Sequence, residues 1–227
     1  MKPLIDLFIP CAVNHYRNLP IALGCAYLQT YKPLRVVLFI DGIHMGCEDY
    51  LRRMWYMEGD RYPDPLPEKI KDFDPDKLTI EYCKKGVIVR NPAGPARGAH
   101  RARQWYLEWP DKAPIVKNYD VDDFLYFQTI EIMQRHLTED ADGVFCPMTP
   151  VYGGRLARYH NTDIDLGTVG SGAMMLTKAC QDKLVQGGFQ WPHYKGNDKY
   201  FHFFIQSNRK SYKFIAVKED GLYFYLK

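Results

Sequence analysis

The chain has 227 residues, 46% hydrophobic and 15% aromatic, which suits one large α/β domain and argues against disorder. Its formal charge of +3 comes with no dense Lys/Arg run, Arg97, Arg101 and Arg103 being the nearest to one, so an anionic substrate fits better than non-specific nucleic-acid binding. Six cysteines without a C-x-x-C pair, an acid at Asp6, and no long apolar run argue against a zinc site, a disulfide framework, a signal peptide and a membrane span, and lead us to expect a soluble, cytoplasmic protein.

Residues 4–10 read as a short buried strand stopped by Pro10. A helix is expected from about Asn18 to Tyr31, with Asn18 as its cap and Pro20 in its first turn. The unbroken apolar run at 36–40 has the pattern of a strand buried on both faces, and it ends at Asp41-Gly42. Strand, helix and strand make one βαβ unit.

A helix is expected over 47–58, and a proline-rich surface loop over 62–75. Residues 78–82 alternate as a half-buried strand, and 86–90 suggest another. The turn at 91–95 leads into a helix through Trp109. A strand at 113–119 precedes an acidic loop, followed by a helix from Phe124 to about Leu137 and a strand at 142–148. Residues 167–176 are Gly-rich, then strand-like. Helices are expected at 177–185 and at 197–208, the latter with Phe201, Phe204 and Ile205 inward, and closing strands at 212–217 and 222–226. With no repeat or linker, the expectation is a single domain over 1–227.

The run Asp120-Val121-Asp122-Asp123 places three carboxylates at the end of an apolar strand. Carboxylates so spaced can converge on a hard cation such as Mg²⁺ or Mn²⁺, or on sugar hydroxyls. They can equally be a solvated loop, with Asp122 or Asp123 capping a helix from Phe124. Asp41 has a similar alternative as the first residue of an Asp-Gly turn.

Taken in order, the βαβ unit ending in Ile40-Asp41, the N-x-x-G-x-A-R stretch at 91–97, the D-x-D-D loop at 120–123 and the Asn197-Asp198 pair resemble a GT-A glycosyltransferase of the family two type. The phrase Gln29-Thr30-Tyr31-Lys32-Pro33 resembles that family's junction before its second strand. The resemblance implies a Rossmann-like GT-A fold, with a mixed, mostly parallel central sheet flanked by helices. It divides the domain into a nucleotide-binding part, about 1–123, and an acceptor-binding part, about 124–227.

The resemblance also implies roles. Pro10, Cys11, Ala12, Asp41, Arg97 and Asp120 would bind the nucleotide-sugar. Asp122 and Asp123 would hold Mn²⁺ or Mg²⁺. Gly172 and Trp191 would line the acceptor pocket, and Asp198 would be the general base. Asn197 stands where the family often has Glu, and Gly98 where it has Asn; Asp198 or Asn197 could instead be the cap of the following helix.

The reaction implied is transfer of a sugar from a nucleoside diphosphate donor, a UDP-sugar by preference, to an acceptor hydroxyl with inversion. The acceptor could be a glycan, a protein or a nucleic-acid base. Rival readings are a non-catalytic GT-A-like carbohydrate-binding protein, a D-x-D phosphatase and a sugar-nucleotide hydrolase. The phosphatase would want its acidic strand early in the chain. A pyrophosphorylase would need a Gly-rich phosphate loop near the N-terminus, which is absent.

Overall fold

The computed structural model describes residues 1–42, 46–47, 50–51, 78–83, 86–91, 99–152, 155–156, 170–191, 197–208, 210–219 and 221–226. The expected helix at 47–58 is described only at 47 and 50–51, where it is helical, and the proline-rich stretch at 62–75 lies outside the described residues.

Strand β1 (Ile5–Ala12) is buried along nearly its whole length, and β2 (Leu34–Asp41) pairs with it in parallel. Further strands are β3 (Thr79–Cys83), β4 (Gly86–Asn91), β5 (Ile115–Asn118), β6 (Phe124–Leu125), β7 (Gly143–Phe145), β8 (Met148–Tyr152), β9 (Arg155–Leu156), β10 (Met174–Thr177), β11 (Phe214–Ala216) and β12 (Tyr223–Leu226). Eight of them form one sheet in the order β11-β7-β10-β5-β1-β2-β4-β3. Only β3 and β10 run against the rest. β6, β12, β8 and β9 form a second, smaller sheet. Besides the helical residues at 46–47 and 50–51, the described residues include the helices α1 (Leu19–Leu28), α2 (His100–Glu108), α3 (Thr129–His136), α4 (Lys178–Gln186) and α5 (Asn197–Ser207).

The mostly parallel sheet with flanking helices is the architecture expected. The core collects the apolar runs of β1, β2 and β4 with one face of α1, including Leu19, Ala22, Leu23 and Ala26. Such strands are buried on both faces, so they carry continuous apolar runs instead of alternation.

Several local expectations are corrected. β1 does not stop at Pro10. Its pairing with β5 ends at Phe8, so the missing proline N–H falls where no neighbour on that side asks for it. Asn18 is not a side-chain cap, because a 3-10 turn over Val13–Asn18 already feeds into α1.

α1 ends at Leu28, ahead of the expected Tyr31. There Gln29 turns extended and its amide donates to Tyr126 O at 2.9 Å, while Thr30 N–H reaches Phe127 O at the same distance. The Gln-Thr-Tyr junction is thus tied to the segment after the acidic loop. That segment is not helical from Phe124: Phe124 and Leu125 pair with β12, and α3 starts only at Thr129. The strand expected at 142–148 is split, β7 staying in the large sheet and Met148 opening β8 in the small one. The closing strands also part, β11 to the large sheet and β12 to the small.

Candidate active site at the carboxyl edge of the central sheet

The carboxyl ends of β2 and β1 lie side by side, and β5 ends earlier, its Asn118 opposite Phe8 of β1. Ala12 is level with Asp41. Tyr119 N–H donates to Phe8 O at 2.9 Å, so the acidic loop begins beside the middle of β1 and runs on toward that edge. Ligands gather at this edge in open α/β sheets.

Asp41 is buried, and its Oδ1 accepts from Asn91 Nδ2 at 2.8 Å. Asn91 is its ladder partner on β4, and Gly42, with φ 103°, turns the chain away while donating to Asn91 O. The positive φ suits glycine there. Pro10 and Cys11 are buried at the end of β1. Burial, then Cys47, then Asp122 push the Cys11 thiol well above its ordinary range, so it is no nucleophile.

The three loop carboxylates diverge. A turn closes the loop, with Asp123 N–H donating to Asp120 O at 3.1 Å. Asp120 turns sideways, where Arg103 Nη2 of α2 donates to its Oδ1 at 2.7 Å. Asp123 turns inward and is 2% exposed. Its Oδ2 accepts the Tyr223 hydroxyl at 2.5 Å, and its backbone O accepts the Tyr119 hydroxyl at 2.8 Å. Asp122 turns outward, its side chain 44% exposed and its Oδ2 3.7 Å from His15 Nδ1.

Beneath the loop, the Lys117 ammonium is fully buried. It donates to Asn118 O at 2.6 Å and to Gly172 O, and lies 4.9 Å from the Tyr223 ring centre. Burial lowers its pKa from 10.5 to about 8, against the pull of Cys146, Asp120 and Asp123. Burial, then Asp120 and Asp123, raise the Tyr223 hydroxyl well above its usual value, so it remains a donor.

Gly172 sits against this cluster, where an added Cβ would lie 2.1 Å from the Tyr223 hydroxyl and 2.9 Å from Asp120 Oδ2. Trp191 is buried, stacked on Phe201 at 5.4 Å and 8°, with the Arg103 guanidinium 5.4 Å from its ring. The Trp191 backbone N–H donates to Gln104 Oε1 at 2.9 Å. Helix α2 therefore touches both the acidic loop and the Trp191 segment.

Arg97 lies outside the described residues. So do the side chains of Asn197 and Asp198, whose backbone forms the first turn of α5. Arg103, Tyr223, Lys117 and His15 were not singled out by sequence reasoning for this site. Two had a signal: Lys117 interrupts an apolar strand, and Arg103 shares a helical face with Tyr106 and Leu107, three and four residues on. Tyr223 had none, lying a hundred residues from its partner.

An open apolar groove of about 430 Å³ lies elsewhere, lined by Cys25, Leu28, Phe124 to Phe127, Val151 and Phe224. None of the carboxylates above lines it, so it is not the site.

No family model matches the chain, and no curated protein matches it by sequence. Solved structures do match. The 1–349 fragment of TarS from S. aureus is 14% identical with a TM-score of 0.63, covering 100% of this chain and 60% of its own. The same fragment in complex with UDP-GlcNAc gives 14% and 0.61, over 100% and 59%. The mannosyltransferase PcManGT from Pyrobaculum calidifontis, in complex with GDP-Man and Mn²⁺, gives 15% and 0.59, over 100% and 57%. The chain thus spans about three-fifths of the length of these structures. Whole-chain likeness of this kind, with a mostly parallel eight-stranded sheet and flanking helices, makes this a GT-A fold.

Proposed function

We propose that the chain transfers a sugar from a nucleoside diphosphate donor, a UDP-sugar by preference, to an acceptor hydroxyl, with Mn²⁺ or Mg²⁺ as cofactor. The observation that carries this reading is Asp122, a carboxylate 44% exposed in the loop after buried β5, near His15 and Cys11 at the carboxyl end of β1. Asp41 lies across the same edge for the base or ribose, with Asn91 orienting its carboxylate.

A divalent cation in such a site takes one or two protein carboxylates and completes its shell with phosphate oxygens and water. Asp122 fits that role. Asp123, committed to Tyr223 and buried, serves better as an anchor than as a ligand. Among the described residues no three His, Cys, Asp or Glu side chains cluster for a metal, which agrees with a cation held largely by the donor. When bound, the cation would supply Lewis-acid stabilisation of the leaving diphosphate.

The chain's own residues do the rest. Arg103 holds Asp120 toward the ribose side and links it to Trp191. Gly172 leaves the space that Asp120 Oδ2 occupies. In this proposal Arg97 contacts the diphosphate, residues 10–12 flank the nucleotide, Gly172 and Trp191 border the acceptor pocket, and the acceptor part follows Asp123. Asp198 takes the acceptor proton, which gives inversion. No helix among the described residues is long and apolar enough to cross a membrane.

A melting-temperature screen against UDP-, GDP- and TDP-sugars with and without Mn²⁺ tests the donor class, because a ligand that binds only the native state raises apparent stability. Stabilisation that requires both sugar nucleotide and Mn²⁺, together with donor turnover, is expected. Binding without turnover would favour a non-catalytic carbohydrate-binding protein, and no binding would end the reading. Asp198→Asn is expected to keep nucleotide binding and lose transfer.

A further inference from the structure

The acidic loop leaves the large sheet at β5 and enters the small sheet at once. Both residues of β6 pair with β12, Leu125 opposite Tyr223 and Phe124 opposite Phe224. Tyr223 therefore stands at the exit of the loop, and its hydroxyl reaches back beneath it. That one oxygen donates to Asp123 Oδ2 at 2.5 Å and is met by the Asp120 N–H at 3.4 Å. The Lys117 ammonium lies against the ring, and Gly172, having no Cβ, leaves the space that the hydroxyl occupies.

We propose that Tyr223 is a positioning residue for the acidic loop: by fixing Asp123 and the Asp120 amide to one hydroxyl, it sets the direction in which Asp122 faces the donor diphosphate. This inference rests on the transferase reading above. A four-residue turn closed by a single backbone hydrogen bond can take several conformations. Tying down the residues on either side of Asp122 removes that freedom before a donor arrives, which is the usual gain from preorganisation. The small sheet thereby acts on the chemistry through one residue, although it contributes no strand to the carboxyl edge.

Tyr223→Phe keeps the ring over Lys117 and removes only the hydroxyl. The full chain and this variant would be compared by melting, by amide exchange over 119–123, and by calorimetric affinity for Mn²⁺ with whichever of UDP, GDP and TDP the wild type binds best. Folding is expected to survive. Exchange at 120–123 should quicken, and affinity should fall by about 10-fold or more, as when other residues that orient a metal ligand are removed. In donor hydrolysis the loss should appear in KM more than in kcat. Asp123→Asn, which keeps an oxygen for the hydroxyl, should bind closer to wild type than Asp123→Ala.

Gly172→Ala should move binding the same way as Tyr223→Phe, and keeps the proposal testable if that variant misfolds. Wild-type affinity and exchange in folded Tyr223→Phe, or in folded Gly172→Ala, would overturn the proposal. If the wild type binds no nucleoside diphosphate with Mn²⁺, the transferase reading fails, and loop exchange alone decides whether Tyr223 holds the loop.

Discussion

The two edges of the central sheet use acids in opposite ways. At the amino edge, Asp6 of β1 is fully buried and saturated: Arg35 Nε and Nη2 donate at 2.7 and 2.9 Å, the Tyr106 hydroxyl at 2.7 Å and the Ala113 N–H at 2.8 Å. At the carboxyl edge, Arg103 holds Asp120 and the Tyr223 hydroxyl holds Asp123, while the Asp122 side chain is 44% exposed. A carboxylate surrounded by donors holds strands and a helix together. One held at its flanks and left open toward water can exchange that water for a ligand. Saturation by donors, not charge, separates Asp6 from Asp122.

The largest effect should come from the amino edge. Asp6→Ala leaves the Arg35 guanidinium, the Tyr106 hydroxyl and the Ala113 N–H without their shared acceptor. Breaking a buried pair from one side costs about 3–5 kcal/mol. Urea or thermal unfolding should register that loss, while the folded fraction should turn over donor normally. A stable Asp6→Ala would break the contrast between the edges.

Asp122→Ala should do the reverse. An exposed side chain with no hydrogen-bond partner among the described residues contributes little to folding, within about 0.5 kcal/mol. If the cation it holds stabilises the leaving diphosphate by several kcal/mol, Mn²⁺-dependent donor turnover should drop by about 100-fold or more. Undiminished turnover would remove the metal from Asp122.

The edges differ in how far they could be read from the chain. The apolar runs of β1, β2 and β5 are local patterns, and so is the cluster of acids after β5, so the sheet and the location of the acidic loop were legible. Which acid faces solvent was not. That depends on Tyr223 and Arg103, 100 and 17 residues from their partners, and on Gly172 making room between them. The second sheet was hidden for the same reason: Phe124 and Leu125 read as the start of a helix, and pairing with β12 overrode that local preference. The helix expected at 177–185 was legible because its signals are local, although Thr177 proves to be its cap, bonded to Cys180 three residues on, and not its first residue.

Lys117 tests the contrast from the cationic side, because it is as buried as Asp6 yet its ammonium reaches Gly172 and Tyr223 beside the acidic loop. Its partners are two carbonyls and an aromatic face, which do not offset its burial, and its pKa falls from 10.5 to about 8. Between those values the unfolded chain holds a proton that the fold does not. Stability should therefore rise with pH, by about 1.4 kcal/mol per unit from this group. The buried Cys146 thiol, raised from 9.0 to about 11 chiefly by burial, acts the other way: above pH 9 the unfolded chain loses its proton first. Wild-type stability should climb from pH 8 to 9 and then level or fall, and Lys117→Met should lack the climb. Denaturant melts at pH 7, 8, 9 and 10 separate the two; a parallel course would place Lys117 in an ordinary setting.

The smallest effect belongs to Thr177, back at the amino edge. It ends β10 opposite Ile115, and its Oγ1 accepts the Cys180 N–H at 3.1 Å to cap α4. Removing such a cap costs about 1 kcal/mol, so Thr177→Ala should lower the unfolding free energy by that amount. Thr177→Asn, another capping side chain, should recover most of it. Donor KM and kcat should stay at wild-type values, because the bond lies at the end of the sheet away from the acidic loop. A change in donor kinetics larger than the change in stability would mean that α4 transmits to the carboxyl edge. One route is open to it: Arg103, which holds Asp120, shares a small cavity with Gln181 of α4. Such a result would make the two edges one coupled unit rather than a scaffold and a site.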